Sequence, residues 1–358
     1  MKAEMTSKER VLEALLHKEV DRTPFSLGFG INLPVIIELK KFLGMKSIQE
    51  VDDYLLSYSD LRWIHPEYHG PTDRNKTFDN RSNVDIWGVE RKPVSYGVGH
   101  YDEISYYPLA GVTDINELDN HLWPSADWFD ADNLLEPITK INNVNKYAIC
   151  IGNGNIFESS WYMRGFEQML MDLILEPDLA WDIMTRVTEY FIAYFTKILR
   201  ATKGMVDIVF TADDIGQQGG LLMSLDIWER MIKPHHIRLN KVLHEYGVKV
   251  MYHTDGSVMK AIPGLIDMGI DIFEAIQFDA KDMDPVVLKE KYGDRLCFHG
   301  GVSVQKTLPF GTIEEVKAEV KERIKVLGKG GGYILAPSHA IQAGTPVENI
   351  IAFLDASR

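Results

Sequence analysis

Residues 252–257 read Tyr-His-Thr-Asp-Gly-Ser and follow directly on the apolar run 248–251. An extended segment ends there in His253 and Asp255, two positions apart. On a strand, residues i and i+2 point to the same side, so both side chains can address one ligand. A neutral imidazole and a carboxylate suit zinc, which needs at least one further ligand and, for catalysis, an open position. His339 is the candidate third ligand, with Glu274 and His299 in reserve. The structural alternative is that Asp255 caps the following helix and His253 makes a single polar contact.

Other apolar runs also end in polar residues. Asp213 and Asp214 follow one of them and offer a general base or a substrate-orienting group, or else a cap for the turn through Gly216. The acid–base set is Asp214, His253, Asp255 and His339. Asn153, Asn155, Asp213, Gln277 and His299 are hydrogen-bonding candidates for substrate. Trp161, beside Tyr162 and Met163, offers an aromatic wall for a planar substrate or a piece of core. Cys150 and Cys297 lie inside apolar runs and read as buried free thiols.

The elements that must position these residues alternate: a short apolar run, a polar or glycine-bearing turn, then an amphipathic helix. Eight candidate strands emerge, at 24–30, 61–65, 147–153, 205–213, 248–254, 271–277, 296–300 and 333–338. Strands alternating with helices imply parallel pairing, and eight units fit a (β/α)8 TIM barrel. A doubly wound open sheet competes, but no glycine-rich dinucleotide fingerprint follows the first strand. Helices are expected from Arg164 to Leu175, from Asp178 to Thr202, and from Leu225 to Tyr246, the last kinked or divided by Pro234. The segment from about 70 to 130 is too long for an ordinary barrel loop. It reads as an inserted hairpin between the second and third strands. One domain spanning 1–358 is expected. In such a barrel the active site lies at the C-terminal ends of the strands, which is where the polar residues fall.

Composition limits the function class. Hydrophobic residues make up 45% and charged residues 25% of the chain, ordinary for a globular protein. The net charge of −14 offers no basic footprint for nucleic acid and disfavours an anionic membrane surface. No signal-type apolar segment opens the chain, and no stretch is long enough to span a bilayer. A cytoplasmic location is expected.

Several stretches carry a family likeness: the opening SKERVLEALLHKEVDRTP, DIWG at 85–88, RGFEQMLMDLILEP at 164–177, DDIGQQ at 213–218, HTDGS at 253–257, HGGVSVQ at 299–305 and GGGYILAPSHAIQAGTPVENI at 330–350. By these the chain resembles the uroporphyrinogen decarboxylase superfamily, which includes cobalamin-dependent methyltransferases. The resemblance implies a (β/α)8 barrel. True decarboxylases of the family carry an arginine-rich RQAGR element after the first strand. Here that place reads SLGFGINLP, without arginine, and the acidic chain is an awkward host for a porphyrinogen with eight carboxylates. The methyltransferase branch binds zinc through a His-x-Cys pair and a later cysteine. Those places resemble His253, Asp255 and His339 here, with both thiolates replaced. A harder N/O site suits an oxygen-bearing methyl donor.

The function expected from the resemblance is methyl transfer from a donor, a methoxyaromatic ether, to the cobalt of a corrinoid (cobalamin) on a separate protein, with zinc as the candidate metal. A decarboxylase or lyase and a non-catalytic binding barrel are the alternatives. The expected partners are the corrinoid protein, a small-molecule methyl donor and, in a homodimer, a second copy of the chain.

Overall fold

In the computed structural model, residues 4–77, 83–95, 97, 100–144 and 146–358 are described. Seven strands form one parallel sheet: β1 (Leu61–Trp63), β2 (Ala148–Asn155), β3 (Ile208–Ala212), β4 (Lys249–His253), β5 (Ile272–Ala275), β6 (Cys297–Val302) and β7 (Tyr333–Pro337). They pair in chain order. The eighth position is filled by Phe25, which pairs with Leu335 of β7. On its other side the Phe25 carbonyl accepts a bond from the Asp60 N–H at 2.8 Å. Phe25 therefore joins β7 to β1 and closes the ring.

The expected strand at 24–30 is thus reduced to one paired residue. Gly28 and Gly30 have φ of +56° and +83°, a left-handed backbone that ends the extended run. The closure is held by charge as well. The Asp60 carboxylate is fully buried. It accepts bonds from Arg10 (2.8 Å), from both Arg22 terminal nitrogens (2.8 and 2.9 Å) and from the Phe25 N–H (2.9 Å).

Inside the ring, alternate residues meet as a small core: Leu61, Cys150, Phe210, Met251, Ile272, Cys297 and Ile334 among them, with Val11 and Leu15 of the opening helix. Their spacing by two along each strand is what fills a barrel interior. Both cysteines are free and buried here, and burial pushes the Cys297 thiol up to about 12.

The helix expected at Arg164–Leu175 is found at Phe166–Leu175, and a further helix, Ile156–Arg164, precedes it; Gly165, whose φ is +97°, divides the two. The Leu225–Tyr246 segment contains a π-helical turn, Trp228–Ile232, just before Lys233–Glu245. Pro234 has no N–H to donate, so the ladder widens ahead of it. Between β1 and β2, Glu90–Ser95 and His100–Tyr106 pair antiparallel within a four-stranded sheet. Among the described residues no helix is long and apolar enough to cross a membrane.

Candidate active site

His253 is the last residue of β4, and Asp255 follows two positions later. His339 lies two residues beyond the end of β7. The three side chains meet: one ligand atom from each lies within 4.8 Å of the others, the one such grouping found among the described residues. The turn between them is fastened from both sides. Thr254 donates its N–H to the Glu274 carbonyl (2.9 Å), and its hydroxyl accepts from the Ile215 N–H (3.0 Å). Gly256 has φ of +85° and lies so close to the Gly216–Gln217 backbone that a Cβ would come within 2.6 Å of the Gln217 nitrogen. That contact explains the glycine of the motif.

The strands also orient the donors. His253 and Glu274 are register partners on β4 and β5, and the imidazole Nδ1 hydrogen-bonds Glu274 Oε2. With Nδ1 so engaged, Nε2 is left for a ligand; it lies 3.5 Å from Asp214 Oδ1. Asp214 accepts the Asp255 N–H at 2.8 Å, and His339 Nε2 stands 3.9 Å from Asp255 Oδ2. Burial works against a charged His253, but Glu274, Asp255 and Asp214 outweigh it and lift the group to about 10. Burial likewise opposes ionisation of Glu274, yet His253 and His299 hold it down at about 2. Burial raises Asp255, with Asp214 adding to the effect against the pull of His253.

This donor set fits zinc. Asp255 Oδ1 is buried with no hydrogen-bond partner among the described residues, a costly state that ligation relieves. Tetrahedral zinc with bonds near 2.1 Å places its ligands roughly 3.4 Å apart, so the triad needs adjustments of about an ångström. Glu274, the reserve ligand, does not join the triad. It orients His253 from behind, the usual office of a carboxylate next to a metal-binding histidine.

Beside the triad lies a cavity of about 480 Å³ reaching into the barrel. Phe29, Trp63, Phe210 and Met251 give it apolar walls, while Glu274, His299 and Asn153 contribute polar atoms. Phe29 borders both cavity and triad, its ring centroid 5.6 Å from Phe210, 4.7 Å from His253 and 4.9 Å from His339.

Not every residue expected here takes part. Asp213 is wholly buried and accepts the N–H groups of Phe157 (2.8 Å) and Glu158 (2.7 Å), anchoring a helix N-terminus, while His236 Nε2 lies at 2.5 Å. Gln277 accepts the Gly256 N–H (2.8 Å) and so steadies the turn. Asn155 bonds Glu158. Trp161 packs on Tyr162 and Phe166 and is not among the cavity walls. Phe29, Trp63, Phe210 and Glu158 do not stand out in the sequence. Burial, with the nearby Asp213 and Asp214 adding to it, pushes Glu158 up to about 7. A charged residue inside the apolar run Ile272–Ala275 was the one available signal for Glu274.

Comparison with known proteins bears on this geometry. The profile of the uroporphyrinogen decarboxylase (URO-D) family matches residues 131–358. The chain belongs to that family. Within it, a methylcobamide:CoM methyltransferase, MtaA, of Methanosarcina barkeri is 30% identical over 183 residues, 51% of this chain and 50% of the relative. The MtaA of the Fusaro strain is 28% identical over the same length. The chain spans about half the length of the curated relatives it matches. A solved methyltransferase from Methanosarcina mazei superposes with a TM-score of 0.68 at 20% identity, covering 99% of this chain and 98% of its own. That likeness establishes the fold of this URO-D family member across its length.

Proposed function

We propose that the protein transfers a methyl group from an oxygen-bearing donor, a methoxyaromatic ether, to the cobalt of a corrinoid held by a separate protein. The observation that carries this reading is the donor set at the barrel mouth: two imidazoles and a carboxylate within 4.8 Å, with no sulfur. Both thiols of the chain are buried in the barrel core instead. Sulfur-rich sites favour soft partners, whereas N/O sites favour oxygen. The similarity to methylcobamide:CoM methyltransferases supports corrinoid chemistry, and the changed ligands argue for an ether in place of the thiol.

His253, Asp255 and His339 would hold zinc, which supplies Lewis acidity toward the ether oxygen. Phe29, Trp63, Phe210 and Met251 would enclose the ring and exclude water. The carbon–oxygen bond breaks toward oxygen, the carbon passes to cobalt, and the departing oxyanion takes a proton. Asp214, at the mouth beside His253 and partly open to solvent, would relay that proton from water to the oxyanion. No lysine or arginine lines the cavity among the described residues, which disfavours a polycarboxylate substrate.

The test is zinc-loaded protein mixed with cob(I)alamin and a methoxyarene, followed by the spectral change on methylation of cobalt. The half-exposed His339 is the cleanest variant: His339→Ala should bind zinc at least tenfold more weakly and lose methyl transfer while melting normally. Demethylation of methylcobalamin by a thiol, with no reaction of any ether, would overturn the reading.

A further inference from the structure

The interior cavity has a polar floor that the protein itself leaves unmatched. Glu274 and His299 are register partners on β5 and β6, 1% and 2% exposed respectively, and both line the cavity. Glu274 commits Oε2 to His253. Its Oε1 has no hydrogen-bond partner among the described residues, and neither does either ring nitrogen of His299. The two groups face each other across 3.6 Å, beyond the reach of a good hydrogen bond. Buried polar groups are rarely left without partners, and exceptions cluster where a ligand completes them.

We propose that Glu274 and His299 together recognise a hydroxyl group on the molecule that occupies the cavity. A hydroxyl seated on the cavity side of the pair, within hydrogen-bond reach of each, donates to Glu274 Oε1 and accepts from a His299 N–H, giving each group a partner. The surrounding walls are apolar and the volume is about 480 Å³, which suits a single substituted ring. The ligand is thus a compact, one-ring molecule with a hydroxyl. Resting on the methyl-transfer reading, it is a hydroxylated methoxyarene. His299 is then a specificity-determining residue, separate from the triad at the mouth. A site built to hydrogen-bond a hydroxyl discriminates strongly against an analogue lacking it, because its own buried groups then stay unpaired.

The experiment is calorimetric binding of 2-methoxyphenol and methoxybenzene to the whole protein, without corrinoid. The expected result is a preference of roughly tenfold or more for 2-methoxyphenol. His299→Phe should erase that preference while still binding methoxybenzene, and His299→Gln, which keeps a donor, should retain part of it. Equal affinities in the native protein, or an unchanged preference in a folded His299→Phe, would overturn the proposal, leaving a water or a direct His299–Glu274 bond as the occupant. The two readings fail separately. Selective phenol binding without methyl transfer keeps the hydroxyl site and removes the methyltransferase. Equal demethylation and equal binding of both ethers does the reverse.

Discussion

Glu274 and His253 stand directly opposite each other on adjacent strands, and the carboxylate takes the imidazole Nδ1. This one pairing fixes the ring plane, leaves Nε2 toward Asp255 and His339, and balances a buried charge. Its removal should therefore be felt at the metal site more than in the fold.

Glu274→Gln keeps the shape and a hydrogen-bond acceptor but removes the charge. Zinc affinity should fall by about 10- to 100-fold, the usual effect of altering a partner behind a metal ligand. Competition with a chromophoric chelator measures this, and an affinity equal to that of the native protein would contradict it.

The His253 group, lifted to about 10, carries a proton that a metal ion must displace. Zinc affinity should accordingly rise by about tenfold per pH unit from pH 6 to 9. The sign follows from linkage: below about 10 each binding event releases that proton. A flat affinity profile over this range would show that His253 binds no metal.

Glu158 responds in the opposite sense. Burial, with Asp213 and Asp214, raises it from 4.5 to about 7. Between those values the folded state holds a proton that the unfolded chain has lost, so stability declines as pH rises through this window. Glu158→Gln should exceed the native protein by ~1–3 kcal/mol at pH 8 and match it at pH 4. Urea unfolding at the two pH values tests the difference.

The Asp60 carboxylate satisfies two arginines and the Phe25 N–H. Asp60→Ala leaves the Arg10 guanidinium buried without that partner and should cost about 3–5 kcal/mol, read as a lower midpoint in denaturant. A loss under 1 kcal/mol would mean that the arginines find other partners.

These residues also mark how far the sequence could be read. The barrel was legible because each apolar run of β2 to β7 is followed by polar residues and a helix. His253, Asp255 and His339 stood out by residue type at three places that the barrel brings together. Asp213 looked equally chemical, yet its oxygens anchor the N-terminus of Ile156–Arg164, a helix not expected from the sequence. Phe29 and Phe210 become cavity walls only through the curl of the sheet and the glycine-flanked turn at 28–30, which no periodicity encodes. Asp60 was hidden for a related reason: its partners come from separate segments before β1.

The pairing of Phe25 with Leu335 has a consequence for how the chain is assembled. Its two ends in sequence are roughly three hundred residues apart, so ring closure pays the loop-closure cost of a highly non-local contact. During synthesis, β1 to β6 can pair in turn as they emerge, but Phe25 lacks one neighbour until β7 has left the ribosome. Until then the nascent sheet has two open edges, the feature that makes slow-folding barrels prone to aggregate. The last strand made is the one that seals the structure, and the fastening at Asp60 holds its counterpart ready in the meantime.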